Sequence, residues 1–158
     1  MRLLLLFLFS FGCAGAIHTP TTISHRFSPD PEIEQSVRRA LVRWTAATGI
    51  RLLIEDTGTP VVVIHGDYAM SNGKIACGST NFTDDVITVT TKREKCDYWS
   101  FDSLVLHEIG HKITMSPGHS ASGIMAPGGR AENRECIDED SLSHICAGAN
   151  CEIFVPEC

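Results

Sequence analysis

Leu-Val-Leu-His-Glu-Ile-Gly-His-Lys-Ile-Thr-Met-Ser-Pro-Gly-His-Ser-Ala-Ser-Gly-Ile-Met-Ala-Pro, residues 104–127, is the stretch around which the chain is organised. His107 and His111 stand four apart in an apolar, helix-forming context, so one helical turn places both imidazoles on the same face. That pair is the bite a tetrahedral Zn2+ requires. Glu108 lies close to the same face and can reach a water on the metal without being a ligand, which is where a general base belongs. Pro117-Gly118 reads as a turn that folds the chain back and delivers His119 as a third ligand, leaving a fourth position open to water.

The helix that carries this pair is expected from Ser100 to Thr114 or Met115, with Asp102 in its first turn. Phe101, Leu104, Val105, Leu106, Ile109 and Ile113 make it apolar around much of its circumference, which predicts a helix buried between layers. Its central polar patch is His107, Glu108 and His111, and buried polar groups need partners of the kind a metal supplies. Gly110 costs about 1 kcal/mol against Ala in a helix interior, a cost that close backbone packing would offset.

Working outward, Asp30 and Pro31 open an amphipathic helix on which Ile33, Val37, Ala40, Leu41 and Trp44 recur at helical spacing. Arg38, Arg39 and Arg43 fall off that stripe and read as a solvated face. Strands are expected over 21–27, 50–54, 61–65, 74–77 and 86–91, and a third helix over 137–146 with Asp138 or Ser141 as cap. The segment 67–85 is otherwise polar and reads as loop, with Asn81-Phe82-Thr83 matching a glycosylation pattern and Asp84-Asp85 a solvated pair. His65 reads as a strand-end residue, and His18, His25 and His144 as surface histidines.

The chain of 158 residues is one domain by length, and its 43% hydrophobic composition suffices for a core. A net charge of -6 without a Lys/Arg run disfavours nucleic acid and anionic membrane as partners. Residues 1–16 read as a signal peptide: Arg2, an apolar run over 3–11 too short to span a bilayer, and Ala14-Gly15-Ala16 as a cleavage site. The mature domain is then 17–158. A second reading takes Gly12-Cys13-Ala14-Gly15 as the end of a lipobox, with a lipid anchor at Cys13. Either predicts export, to the extracellular space or a periplasm.

Beyond Cys13 six cysteines remain, Cys77, Cys96, Cys136, Cys146, Cys151 and Cys158, which suggests disulfides in an oxidising compartment. Their distribution hints at Cys77 with Cys96 and the other four among themselves. A structural zinc site in the C-terminal group is the competing reading.

His107-Glu108-Ile109-Gly110-His111, His119-Ser120 and Ser122-Gly123-Ile124-Met125, with Met125 where a Met-turn falls, together resemble the metzincin clan of zinc endopeptidases, most closely its small matrixin-like members. The resemblance implies an α+β, zincin-like fold with a twisted, mostly parallel sheet, an active-site helix and a small, disulfide-braced C-terminal subdomain. It implies Zn2+ as cofactor on His107, His111 and His119, Glu108 as the catalytic base and Met125 packed beneath the metal. A protein or peptide substrate would pair with a sheet edge around 74–77, and a monomer is expected.

The chain departs from the pattern where Thr114 takes the place of a Gly and Pro117 that of the third His, so His119 implies a two-residue insertion. No Tyr follows Met125, and no Cys-bearing inhibitory prosegment precedes the first strand, so synthesis without that latch is expected. Two alternatives differ in class: a zincin-fold binding or inhibitory module with weak or no turnover, and a gluzincin-like site with Glu132 or Glu135 as third ligand. A purely structural disulfide domain would leave the His-Glu-His face unexplained.

Overall fold

The computed structural model describes residues 21–24, 31–50, 52–55, 62–65, 69–71, 73–83, 86–90, 92, 94–97, 99–128, 135–149, 151 and 156–158; for 21–24, 32–33, 53–55, 62–65, 69–71 it describes the backbone alone. The expected signal peptide with Cys13, together with His18, His25, Asp84, Asp85 and Glu132, lies outside the described residues.

Two helices form the spine. Helix α1 (Pro31–Thr48) buries Val37, Ala40, Leu41, Trp44 and Ala47, which fall on one helical face, each at most 4% exposed. Helix α2 (Phe101–Thr114) is capped by Ser100, whose hydroxyl accepts the Ser103 N–H at 3.1 Å, and its residues 103–113 are all buried, as its apolar circumference predicts. The Trp44 indole donates to the Leu106 carbonyl at 2.8 Å, fixing the register of α1 against α2.

The arginine face of α1 is more than solvated. Arg39 forks onto Asp102 through Nε and Nη2 at 2.9 and 2.8 Å, the Ser36 hydroxyl bonds the same carboxylate, and Arg43 lies 3.5 Å from Glu157. Burial would raise the Asp102 carboxyl, but the Arg39 and Ser36 hydrogen bonds and the Arg39 and Arg43 charges outweigh it and hold it below its usual value.

The fold is α+β, with three helices among the described residues, but the sheet differs from a single, mostly parallel one. Four ladders fall in three small sheets. Strand β1 (Thr21–Ser24) pairs in parallel with β2 (Leu52–Glu55), and β3 (Val62–His65) in parallel with β7 (Val86–Thr90). Strand β4 (Ala69–Ser71) pairs antiparallel with β5 (Lys74–Ala76), and β6 (Gly78–Asn81) antiparallel with β7. The reason is loop length. The β4–β5 and β6–β7 connections are too short for a crossover and close as hairpins, the first through Gly73 at φ 73°, whereas the parallel pairs are joined by long segments.

Helix α3 (Glu139–Ala149) completes the core through Leu142, Ile145 and the preceding Ile137. The disulfides are Cys77–Cys96, Cys136–Cys158 and Cys146–Cys151, so the C-terminal cysteines are not a zinc site. Three disulfides are compatible with an extracellular location. Among the described residues no helix is long and apolar enough to cross a membrane.

Candidate metal centre

His107, His111 and His119 come together: one ring nitrogen from each lies within 4.8 Å of the others. His107 and His111 are 5% and 6% exposed, while His119 is exposed at the rim. The His119 ring centroid stands 4.7 Å from that of His111 and 5.3 Å from that of His107. The chain reverses before Pro117-Gly118. Met115, the C-cap of α2, takes the left-handed conformation at φ 50°, and its N–H bonds the His111 carbonyl. This left-handed position is borne by a methionine and not by a glycine, and the segment that follows carries His119 back to the ring of His111.

Two backbone carbonyls orient the inner pair. His107 Nδ1 lies 2.6 Å from the Ile124 carbonyl and His111 Nδ1 2.9 Å from the Ser116 carbonyl. A carbonyl only accepts, so both Nδ1 atoms carry the proton and both Nε2 atoms present lone pairs. Those Nε2 atoms face one another at 3.1 Å, a separation at which two lone pairs cannot hydrogen-bond. Two nitrogens sharing a tetrahedral metal ion at about 2.05 Å would be about 3.3 Å apart, so the spacing of this pair is that of two ligands to one ion. Burial, reinforced by neighbouring His111, lowers the His107 pKa to about 3 against the Ile124 hydrogen bond. Burial lowers His111 to about 4, with the charge of His119 adding to it and the Ser116 bond opposing. Burial and His144 lower His119 as well. Neutral imidazoles are the form that binds metals.

Glu108 is 4% exposed and shares with the three histidines the lining of a cavity of about 450 Å³. Burial pushes its carboxyl up to about 7, against the lowering effect of a Thr80 hydrogen bond at 2.7 Å. The cavity wall opposite α2 runs from Ile75 to Thr80, along β5 and β6, and Phe82, Trp99 and Leu104 add apolar surface. The Trp99 and His107 rings form a T-shaped contact with centroids 5.2 Å apart.

Beneath the site, the turn at 122–126 is fastened to the start of α3. Asp138 Oδ2 accepts the Ile124 N–H at 2.8 Å and the Ser141 hydroxyl at 2.8 Å, Asp138 Oδ1 accepts the Ser141 N–H at 2.9 Å, and Ser141 Oγ accepts the Met125 N–H at 3.0 Å. Asp138 therefore caps α3 and also holds the residue whose carbonyl orients His107. Met125 is fully buried against Gly110, where an added Cβ would overlap its sulfur and lie 3.0 Å from Trp44 Cζ2.

Several residues stand differently from their sequence reading. Glu135 is exposed and joins no metal-binding group among the described residues. His144 is half-buried, not a surface residue: its Nε2 is buried without a hydrogen-bond partner among the described residues, and its ring edge abuts Gly118. Thr80 and Trp99 line the site without a sequence signal that marks them. Thr80 lies in a polar run that reads as loop, and Trp99 precedes the helix without a periodic signal.

No protein-family model matches the chain, and no curated protein sequence matches it.

Proposed function

We propose that the protein is a zinc-dependent endopeptidase of metzincin type. The observation that carries this reading is the convergence of three neutral imidazoles, two of them locked by carbonyls with Nε2 inward, beside a buried carboxylate in one cavity. When bound, zinc supplies Lewis-acid polarisation of the scissile carbonyl and lowers the pKa of a water to about 7. Glu108 takes the proton from the attacking water and passes it to the leaving amine. Its burial beside the histidines and its single Thr80 hydrogen bond place the carboxylate where such a transfer needs it. A single copy supplies all four groups.

The wall formed by β5 and β6 offers the substrate a backbone surface beside the histidines. An extended peptide pairing there would gain affinity from main-chain hydrogen bonds, with Phe82, Trp99 and Leu104 meeting its side chains.

The reading is tested by measuring zinc content and cleavage of an unstructured protein such as casein for the wild type, Glu108→Ala and His119→Ala. Glu108→Ala is expected to keep its zinc and lose turnover, and His119→Ala to lose both. Zinc-loaded wild type that cleaves nothing would leave a binding module in place of an enzyme.

A further inference from the structure

We propose that Thr80 is a positioning residue for Glu108 and that Gly78 keeps open the space the carboxylate occupies. The catalytic consequence rests on the peptidase reading, whereas the geometry rests on β6. Residues 78 and 80 point to the same side of that strand, because strand side chains alternate. Each meets a different carboxylate oxygen. The Thr80 hydroxyl lies 2.7 Å from Glu108 Oε2 and 3.1 Å from the Glu108 carbonyl, and having one proton it donates across the shorter contact to the carboxylate. A Cβ at Gly78 would stand 2.5 Å from Oε1 and 2.9 Å from Cδ, so a side chain there would displace the carboxylate from its position.

Among the described residues Thr80 is the one side chain that hydrogen-bonds this carboxylate. Glu108 has three side-chain torsions to fix, and a base misplaced by about an ångström loses much of its effect. The platform that fixes them is rigid. Gly78 pairs with Val89 and Thr80 with Ile87, both partners fully buried, and the strand begins next to Cys77 of the Cys77–Cys96 disulfide. The β-branch of Thr80 narrows its own rotamer choice, so its hydroxyl is aimed before Glu108 arrives.

The test combines kinetics with a measurement independent of turnover on zinc-loaded protein. With carboxyl-13C glutamate incorporated, the Glu108 resonance is identified by its loss in Glu108→Gln. Thr80→Val, which replaces the hydroxyl by a methyl, is expected to move that resonance and to lower kcat about tenfold to a hundredfold with KM and zinc content unchanged. Thr80→Ser is expected to restore the resonance and most of kcat. Gly78→Ala, which displaces the carboxylate without touching the donor, is expected to move the resonance and lower kcat, and carries the test should Thr80→Val fail to fold. An unmoved resonance in Thr80→Val or Gly78→Ala overturns the proposal, as does a Thr80→Ser protein as impaired as Thr80→Val. A resonance that moves as expected in a protein that cleaves no peptide upholds the positioning and removes the peptidase reading.

Discussion

Adding one methyl group at Gly110 separates two forces of opposite sign. Replacing Gly by Ala inside a helix stabilises by about 1 kcal/mol where the methyl meets open space. At Gly110 it would overlap the Met125 sulfur and lie 3.0 Å from Trp44 Cζ2, with both neighbours fully buried. Neither can retreat cheaply. Trp44 is tied by its indole to the Leu106 carbonyl at 2.8 Å, and the Met125 backbone to Ser141 Oγ at 3.0 Å. Overpacking in such a site costs up to about 3 kcal/mol, so Gly110→Ala is expected to lose about 2 kcal/mol net. For a chain of this size that is a fall of about 4–8 °C in melting temperature. Denaturant unfolding of wild type, Gly110→Ala, Met125→Ala and the double variant gives the cycle, in which removing the Met125 side chain should return much of the Gly110→Ala loss. A Gly110→Ala protein more stable than wild type by about 1 kcal/mol would refute the reasoning, since propensity alone would then govern the position.

Further outcomes follow from other parts of the site. Asp138→Ala removes a helix cap and leaves the Ile124 N–H without its acceptor, for an expected loss of about 2–3 kcal/mol and about tenfold weaker zinc binding in a chelator competition; unchanged zinc affinity would sever Asp138 from the site. Met115→Gly relieves a left-handed backbone at a residue 55% exposed and is expected to raise stability by about 1 kcal/mol in denaturant melts, with a drop indicating that the methionine side chain packs. The metal-free protein should be acid-sensitive. His107 and His111 have folded pKa values below their unfolded one, so their contribution is present above 6.5 and is lost as pH falls toward 4 and 3. Glu108, raised to about 7, acts oppositely, its contribution being present below 4.5 and lost as pH rises to 7. Between 4.5 and 6.5 the lowered histidines, His119 among them, together outweigh the one raised carboxyl, so stability should rise with pH, and a flat profile in chelator-treated protein would contradict the burial of His107 and His111.

The helices were legible because periodicity and capping are local: Pro31 opens α1, Ser100 caps α2, and the stripe through Val37, Leu41 and Trp44 needs no tertiary context. The His-Glu-His face was legible for the same reason. Strand β6 was not. Its Gly-Ser-Thr-Asn sequence has no alternating apolar signal, and it is a strand because β7 pairs with it and α2 lies against it, both set by distant chain. The mixed pairing of the sheets follows from two short turns inside a polar run, which composition reads as loop. Asp138 was legible as a cap but not as the holder of Ile124, since that bond spans 14 residues with no spacing rule. His144 escaped because its neighbour Gly118 is brought to it only once α2 has ended and the chain has turned back.

The protein's two tryptophans stand on opposite errands, and this gives the molecule a built-in optical probe. Trp44 is sealed between α1 and α2, whereas the Trp99 ring stands 5.2 Å from that of His107 in a T-shaped contact. Whatever changes the electronic state of that imidazole, whether a proton or a metal ion, acts on the excited state of Trp99 across 5.2 Å and reaches Trp44 only through the core. In a Trp44→Phe background the remaining emission would therefore report occupancy of the histidine cluster without any added label.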